Sequence, residues 1–190
     1  MHHREILRKL FHLFTCIFPF LLYHYGKEVC FPYFFIFLIS FILFDIGRQK
    51  STFISSVYNY FFSILTRDYE QERLTGASYV CFSVIFVAFF FDEKIAIVSL
   101  LMMSIADPCA SLFGQYFGRF KIYTKTLEGS IAFFIVSGSI LIFFSIPYIE
   151  VIMVSLICTI VELFSKKIKI DDNLLIPFTG SMTLFFLQYI

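Results

Sequence analysis

The chain of 190 residues is 59% hydrophobic, contains 29 phenylalanines and has a mean hydropathy of +0.84. Soluble domains average about 45–50% apolar residues, so this composition excludes a single water-soluble core. The formal net charge of +1 favours neither a nucleic-acid partner nor an acidic one. Because the apolar residues recur along the whole chain, we predict an all-α integral membrane protein.

The first 25 residues combine a basic start with an apolar run, as a signal peptide does. The run ends at Tyr23-His24-Tyr25-Gly26 without a small-residue cleavage site, so we expect an uncleaved first span. The five cysteines are odd in number, occur singly in apolar runs and form no Cys-x-x-Cys motif. This pattern argues against both a disulfide framework and a zinc site.

Seven apolar segments meet or approach the length of about 20 residues that a helix needs to cross a bilayer. The stretch 51–66 mixes Ser, Asn, Tyr and Phe, which favours a helix at the membrane interface over an eighth span. No linker or repeat divides the chain, and we predict one domain over 1–190. The predicted spans are 10–25, 29–47, 76–91, 95–113, 130–146, 148–165 and 173–190.

The basic residues predict the orientation, because loops on the cytoplasmic side carry an excess of Lys and Arg. With the N-terminus in the cytoplasm, 13 of the 15 Lys and Arg lie on that side, and only Lys27 and Lys94 lie opposite. The sequence thus predicts a multi-pass protein with a cytoplasmic N-terminus. The cytoplasmic set is Arg4, Arg8, Lys9, Arg48, Lys50, Arg67, Arg73, Arg119, Lys121, Lys125, Lys166, Lys167 and Lys169.

Three carboxylates, Asp45, Asp107 and Glu162, lie within predicted spans, toward their cytoplasmic ends. A charge in hydrocarbon costs about 2.5–3.5 kcal/mol on insertion scales, so such residues usually have a partner, a cavity or a function. Counted from Gly114 at 1.5 Å per residue, Asp107 lies about 10 Å below the interface. We favour a functional role for Asp107 over a buried pair with a lysine. Asp45 is equally consistent with an interfacial residue at a helix end.

Asp107 begins a stripe of small residues at helical spacing: Ala110, Ser111, Gly114 and Gly118. Such a stripe admits either a neighbouring helix or a phosphate-bearing ligand close to the backbone. The carboxylate above it and the basic residues after it favour the ligand.

The segment Lys125-Thr126-Leu127-Glu128-Gly129-Ser130 stands before an apolar helix, whose first turn offers free N–H donors to a phosphate. Glu128 could hold Mg²⁺ bridging phosphate oxygens. The structural alternative is that Thr126 caps the helix and Glu128 complements its dipole, and both can hold at once.

Asp171-Asp172-Asn173 precede the last predicted span, where they could bind a second metal ion or cap the helix. On the first helix, Arg8 and His12 lie one turn apart. The alternative for this pair is a positive-inside anchor with an interfacial histidine.

Together these segments resemble the CTP-dependent lipid kinases, the family of dolichol kinase, phytol kinase and the CTP-type diacylglycerol kinase. The resemblance extends over almost the whole chain in the same order, and its two central motifs are specific. The matching elements are Arg8-Lys9-Leu10-Phe11-His12; Arg67, Glu70 and Gly76; Asp107-Pro108-Cys109-Ala110-Ser111 with Gly114, Gly118 and Arg119; Lys125 to Ser130; Glu162; and Asp172 to Pro177.

The resemblance implies transfer of the γ-phosphate of CTP to the hydroxyl of a membrane lipid alcohol at the cytoplasmic face. It implies catalytic roles for Asp107, Lys125 and Glu128, and Mg²⁺ bound by Asp107, Glu128 and Asp172. Further residues of the implied site are His12, Arg67, Glu70 and Glu162. The implied nucleotide or phosphate contacts are Arg8, Lys9, Gly114, Gly118, Arg119, Lys121, Thr126, Gly129 and Asn173.

Two other functions compete with this interpretation. Phosphatidate cytidylyltransferases share the Asp and K-T-x-E-G region, but their P-G-H-G-G-x-x-D-R signature is replaced here by Asp172 to Phe178. A transporter should carry acids near the bilayer midplane or on both faces, whereas these acids gather at one face. The residues do not show whether the lipid substrate is a polyprenol, a phytol-like alcohol or diacylglycerol. They also do not show whether the protein lies in a bacterial inner membrane or in a membrane of the endoplasmic-reticulum type. They also leave the oligomeric state open.

Overall fold

The computed structural model describes residues 2–62, 74–168 and 170–188, nearly all of them helical. Each of the seven predicted apolar segments is helical over nearly all of its described length, although 76–91 ends its helix at Phe90 and 130–146 at Phe143. The elements are α1 (His2–Leu13), a 3₁₀ turn (Phe14–Cys16), α2 (Ile17–Lys50), α3 (Thr52–Phe62), α4 (Gly76–Phe90), α5 (Glu93–Leu101), a π turn (Met102–Ala106), α6 (Asp107–Phe117), β1 (Lys121–Ile122), β2 (Lys125–Thr126), α7 (Leu127–Phe143), α8 (Tyr148–Ile168) and α9 (Asp172–Gln188).

The long helix α2 folds back on itself at Gly26. This residue has φ 75° and ψ 160°, a conformation that is inexpensive only for glycine. The Cys30 thiol donates to the Leu21 carbonyl at 3.3 Å, although nine residues of straight helix would separate them by about 14 Å. The rings of Phe18 and Phe34 also meet, with centroids 5.4 Å apart. Gly26 thus separates the predicted segments 10–25 and 29–47, which pack side by side.

The core of the protein is the continuous helical stretch Glu93–Phe117, formed by α5, the π turn and α6. After Lys94, the side chains of α5 are almost all apolar on every face, and Ile95, Ala96, Val98 and Leu100 are almost completely buried. A helix of this kind is stable only when other helices surround it. It carries Asp107 into the interior of the bundle.

Among the described residues, three helical stretches are long and apolar enough to cross a membrane: Ile6–Lys50, which folds back at Gly26, Glu93–Phe117 and Tyr148–Ile168. The helices α4 and α7 are apolar but shorter. Large apolar side chains cover the outside of the bundle, and Phe143 and Tyr148 are 82% and 76% exposed. Such a surface suits contact with lipid, and the chain is a membrane protein. The total of seven spans and the orientation of the N-terminus stay predictions.

The predicted interfacial segment 51–66 corresponds in its described part to α3, whose position at the interface also stays a prediction. The ring of Tyr58 in this helix lies 4.7 Å from the Arg48 guanidinium.

Asp45 is a structural residue that joins α2 to α4. Its carboxylate accepts hydrogen bonds from the Arg48 side chain, from the backbone and side chain of Thr75, and from the Ser78 hydroxyl, at 2.6–3.1 Å. Asp45 is 1% exposed, so this shell of donors replaces the water that the charge would otherwise need. The interfacial interpretation of Asp45 is therefore incomplete, because the carboxylate is buried and fully bonded.

Candidate functional site

A polar cleft of about 430 Å³ opens where α1, α6, the β-hairpin, α7, α8 and the start of α9 converge. These elements are far apart in sequence, so the cleft exists only in the folded protein. Eight of the predicted site residues line it: Lys9, Asp107, Gly114, Lys125, Thr126, Gly129, Glu162 and Asp172.

The first ion pair of the polar cleft joins Lys9 of α1 to Asp107 of α6. Lys9 is 7% exposed and Asp107 is 2% exposed, so the two charges depend on each other in place of water. The buried lysine pair, the alternative that we did not favour from sequence, is thus present. It is compatible with a functional role, because both residues line the polar cleft.

The π turn before Asp107 determines how α1 docks. Pro108 has no N–H to donate, and a π turn is a common way for a helix to absorb such an interruption. The Nε2–H of His12 donates to the Met103 carbonyl at 3.2 Å, and the Thr15 hydroxyl donates to Ser104 at 2.8 Å. These two bonds hold α1 and the 3₁₀ turn that follows it against the π turn, and they keep Lys9 beside Asp107.

The second charged group centres on Lys125, which the β-hairpin carries into the polar cleft. Its ammonium donates to Glu162 of α8 and, at 3.3 Å, to Asp172 of α9. Burial alone would lower the pKa of Lys125, but Asp172, Glu162 and Asp107 together outweigh it and hold the pKa above its usual value. Lys125 is therefore a permanent cation at physiological pH.

Three buried oxygen atoms of the polar cleft have no hydrogen-bond partner within the described part of the chain. They are Oε1 of Gln115, Oγ of Ser130 and Oε2 of Glu162. An unpaired buried polar group costs about 1–3 kcal/mol, so such groups gather where a ligand or water completes their bonding. A polar ligand or water that enters the cleft could complete their hydrogen bonding.

Glu128 does not line the polar cleft. Its carboxylate accepts hydrogen bonds from the backbone N–H groups of Arg119 and Phe120, at 2.9–3.4 Å. The three predicted metal ligands Asp107, Glu128 and Asp172 therefore do not form one cluster in the described structure. The Glu128 carboxylate instead bonds the backbone of the turn before the hairpin. Its catalytic role stays a prediction.

Thr126 and three glycines form the contact between α6 and α7. The Thr126 hydroxyl accepts from the Gly129 N–H at 3.2 Å, which confirms the predicted helix cap. A Cβ on Gly114 would lie 2.6 Å from Thr126 Oγ1, one on Gly129 2.7 Å from the Ala110 carbonyl, and one on Gly118 2.6 Å from Thr126 Cγ2. Close packing of α6 on α7 accounts for these glycines, and contact with a phosphate stays a prediction.

The loop before α9 was predicted to bind a metal ion or to cap the helix, and Asp171 and Asp172 have different contacts. The Asp171 carboxylate accepts from the Asn173 N–H at 3.0 Å and its carbonyl accepts from Leu174 and Leu175, so Asp171 caps the helix. Asp172 instead contacts Lys125 in the polar cleft. The Asn173 side chain donates to the Gly76 carbonyl and thereby joins α9 to α4.

The other predicted residues lie outside the polar cleft. Arg8, His12 and Asn173 line a neighbouring cavity of about 570 Å³ between α1, α2 and α4, called here the apolar cavity. Gly118, Arg119 and Lys121 line neither space. Arg67 and Glu70 lie outside the described residues.

Sequence reasoning overlooked Gln115, Thr124 and Lys166 as lining residues of the polar cleft, whereas Ser130 belongs to the predicted segment Lys125 to Ser130. Two of them carried a usable signal. Lys166 lies four residues after Glu162 and Gln115 lies four residues after Ser111, so each shares a helical face with a residue already of interest. Thr124 has no such signal, because its position depends on the hairpin turn.

The donor set of the polar cleft suits Mg²⁺ in chemistry, although not as a complete protein cage. Among residues 2–62, 74–168 and 170–188, no three His, Cys, Asp or Glu side chains are grouped to hold a metal ion. Mg²⁺ typically takes only one or two carboxylates, together with substrate phosphates and water. Asp107, Glu162 and Asp172 provide oxygen ligands of this kind on one cleft.

Comparison with known proteins identifies relatives over the whole chain. An uncharacterised protein of Rickettsia prowazekii is 30% identical, covering 98% of this chain and 96% of its own. The CTP-dependent diacylglycerol kinase 1 of Saccharomyces cerevisiae is 32% identical over 70% of this chain and 47% of its own. A probable chloroplastic phytol kinase of Triticum aestivum is 32% identical over 66% of this chain and 48% of its own.

The chain thus spans about half the length of the two kinases and nearly all of the Rickettsia protein. No protein-family model matches the chain, and no solved structure matches it.

Proposed function

Since the chain belongs to the family of lipid kinases that contains the CTP-dependent diacylglycerol kinases and the phytol kinases, we propose that it transfers the γ-phosphate of CTP to the hydroxyl of a membrane lipid alcohol. In this reaction the lipid oxygen bonds to the γ-phosphorus and the bond to the β–γ bridging oxygen breaks. CDP leaves, and a carboxylate of the polar cleft or solvent accepts the hydroxyl proton. The substrates are CTP and a polyprenol, a phytol-like alcohol or diacylglycerol.

The observation that carries this proposal is the convergence of lysines and carboxylates in the polar cleft. Phosphoryl transfer needs positioning and charge neutralisation more than covalent chemistry. Lys125 is a permanent cation, while Lys9 and Lys166 line the same space. The carboxylates of the cleft balance the lysines, and a triphosphate would compete for these ammonium groups.

Asp107, Asp172 and Glu162 line the polar cleft, and Mg²⁺ bound here would take one or two of these carboxylates, with substrate phosphates and water as its other ligands. The ion would supply neutralisation of the charge that develops on the phosphate oxygens. Glu162 contributes a buried oxygen without a hydrogen-bond partner in the described structure, whereas both oxygens of Glu128 are bonded to backbone N–H groups.

We place the polar cleft at the cytoplasmic face of a multi-pass protein. The excess of basic residues on that side supports this orientation. A reaction that consumes a nucleoside triphosphate needs access to the compartment that supplies it, so orientation and chemistry require the same face.

The test is an assay of the purified protein in lipid nanodiscs with γ-labelled CTP, ATP and GTP against a panel of lipid alcohols. We expect label in the lipid product with CTP as the preferred donor. Equal turnover with ATP would contradict the choice of nucleotide but leave the transfer reaction intact. A lipid product that carries CMP, with release of pyrophosphate, would instead identify a cytidylyltransferase.

A matched pair of variants links the reaction to the polar cleft. Lys125→Ala should lose activity, whereas Lys94→Ala, at an exposed site at the start of α5, should retain it. Equal activity in the two variants would remove Lys125 from the proposed site.

A further inference from the structure

The apolar cavity lies next to the polar cleft and differs from it in chemistry. Its walls are mainly aromatic and aliphatic side chains from α1, the 3₁₀ turn, α2 and α4, among them Phe14, Phe18, Phe37, Phe41 and Val80. Its volume of about 570 Å³ lies within the range of about 300–1,000 Å³ that is typical of small-molecule pockets. An apolar space of this size favours a hydrocarbon ligand over a nucleotide.

Two residues, Lys9 and Asp172, line both the apolar cavity and the polar cleft. The two spaces therefore meet at these side chains. The other charged or strongly polar side chains of the apolar cavity lie close in sequence to Lys9 or Asp172. They are Arg8, His12 and Asn173. A ligand lying across the junction would have its polar end among charged groups and its remainder among aromatic rings.

The apolar cavity extends away from the junction along the first helix. From Lys9 to Phe18, both in its wall, nine residues of helix span about 14 Å. Phe11, Phe14 and Phe37 of the wall are also 54%, 72% and 46% exposed, so the cavity borders the outer surface of the bundle. In a membrane protein this surface meets lipid, which gives a hydrocarbon chain a lateral way in.

We infer that the apolar cavity holds one hydrocarbon chain of the lipid alcohol, with the hydroxyl at the junction of Lys9 and Asp172. This inference rests on the proposed function and adds where its acceptor binds. With a methylene group taken to be about as large as a water molecule at about 30 Å³, the volume has room for roughly 19 such groups. The site thus fits a single chain of up to about 20 carbons.

Ser40 and Ala77 offer a way to block the apolar cavity without disturbing the core. Both line it and both are exposed, so a large side chain there has space to project into it. Ser139 of α7 is the matched control for Ser40, because each is an exposed helical serine whose hydroxyl donates to the carbonyl four residues earlier. Ser139 lines neither space.

The experiment is photo-crosslinking of the full-length protein in nanodiscs, without nucleotide, to a 20-carbon alcohol that carries a diazirine near its chain end. We expect crosslinked peptides from the wall of the cavity, around Phe41 and Ala77. Ser40→Trp and Ala77→Trp should reduce this labelling about tenfold, a typical penalty for a pocket that no longer fits its ligand. Ser139→Trp should label as the wild type does.

Labelling spread over the lipid-facing side of α7, or equal labelling of Ser40→Trp and Ser139→Trp, would overturn the inference. Thermal unfolding of each variant shows whether it is folded. The KM values for a long and a short acceptor alcohol give a second readout. In Ser40→Trp, KM should rise for the 20-carbon alcohol and stay unchanged for a short water-soluble alcohol. An equal rise for both acceptors would also overturn it.

The outcomes separate this inference from the proposed function. Lys125→Ala should abolish phosphate transfer while leaving photo-labelling of the apolar cavity unchanged. Phosphate transfer by a wild-type protein that is not labelled in the cavity would refute the chain site alone. Labelling of the cavity in a wild-type protein that transfers no phosphate would refute the proposed reaction alone.

Discussion

At the scale of single residues, the charges of the polar cleft are mutually dependent. Lys9 and Asp107 are both buried, and each is the other's partner in the described structure. Removing one member of such a pair leaves an uncompensated charge and costs about 3–5 kcal/mol. A loss of activity in a single variant therefore has two explanations, a missing catalytic group or a weakened fold.

A double variant separates these explanations for Asp107. Asp107→Asn should abolish activity and also lower the melting temperature, because Lys9 loses its counter-charge. Lys9→Met combined with Asp107→Asn should recover the melting temperature, since the buried charge is gone, but should not recover activity. Thermal unfolding in detergent and the phosphate-transfer assay measure the two effects. Activity in the double variant would show that Asp107 serves only as the partner of Lys9.

The two glutamates near the hairpin give a comparison of isosteric variants. Glu162 lines the polar cleft with one unpaired oxygen, whereas Glu128 is bonded to the backbone of Arg119 and Phe120. We expect Glu162→Gln to lower kcat by about 10²–10³, the effect of losing a group that stabilises transition-state charge. Glu128→Gln keeps an acceptor oxygen for the turn and should have the smaller effect.

Steady-state kinetics at saturating CTP, with the unfolding transition of each variant, measure this comparison. A larger loss of kcat in Glu128→Gln would support the catalytic role that the sequence predicted for Glu128. It would also imply that the turn rearranges when substrate binds.

At the scale of helices and their contacts, the sequence predicted the elements but not their functions in packing. All seven apolar segments are helical, because their length and hydropathy leave few alternatives in a membrane. The reversal at Gly26 falls in the predicted gap between the segments 10–25 and 29–47. The π turn before Asp107 was not predicted, since it depends on backbone geometry that composition does not encode. The division of roles between Asp171 and Asp172 needed the position of Lys125, which only the folded hairpin provides.

The contact between α6 and α7 yields a test with an internal control. In Gly129→Ala the new Cβ would lie 2.7 Å from the Ala110 carbonyl, so the two helices must separate. In Gly138→Ala, on the same helix, the nearest atom is Ser155 Oγ at 3.5 Å, an ordinary contact. We expect Gly129→Ala to lose about 1–3 kcal/mol of stability by overpacking. Gly138→Ala should be neutral or slightly stabilising, because alanine favours the helix.

Urea or thermal unfolding of both variants in the same detergent measures the difference. Equal stability of the two would mean that α6 and α7 are not packed as closely at Thr126 as the structure has them. Because the polar cleft lies along this contact, Gly129→Ala should also reduce CTP turnover.

At the scale of the whole molecule, the sequence predicted which residues gather in the polar cleft. It predicted less well which of these residues contact each other. Lys9, Asp107, Lys125, Glu162 and Asp172 do converge, as a common cytoplasmic end of their helices would require. A buried pair of Asp107 with a lysine was the less favoured alternative from the sequence, but neither its partner Lys9 nor the contacts of Lys125 were predicted. Helix spacing fixes faces within one helix and not the rotation of one helix against another. The apolar cavity was likewise hidden, since its Phe and Val residues do not differ in pattern from those that face lipid.

The orientation in the membrane is the last prediction, and the structure supplies two positions that test it. Lys121 in the hairpin and Pro147 before α8 are both exposed and flank α7, whose 17 residues span about 25 Å. Only one of them should face the outside of the cell. Single cysteines at these positions, in a protein whose Cys16, Cys30, Cys81, Cys109 and Cys158 are replaced, can be labelled with a reagent that does not cross membranes.

We expect position 147 to react in intact cells and position 121 only after permeabilisation, since the basic residues beside the hairpin retain it in the cytoplasm. The substituted protein must first transfer phosphate at the wild-type rate, which ensures that labelling reports the active fold. Reaction of position 121 from outside would place the polar cleft away from the cell's CTP and refute the proposed reaction at this site. Reaction of both positions from outside would show that α7 does not cross the bilayer, and the total of seven spans would then be wrong.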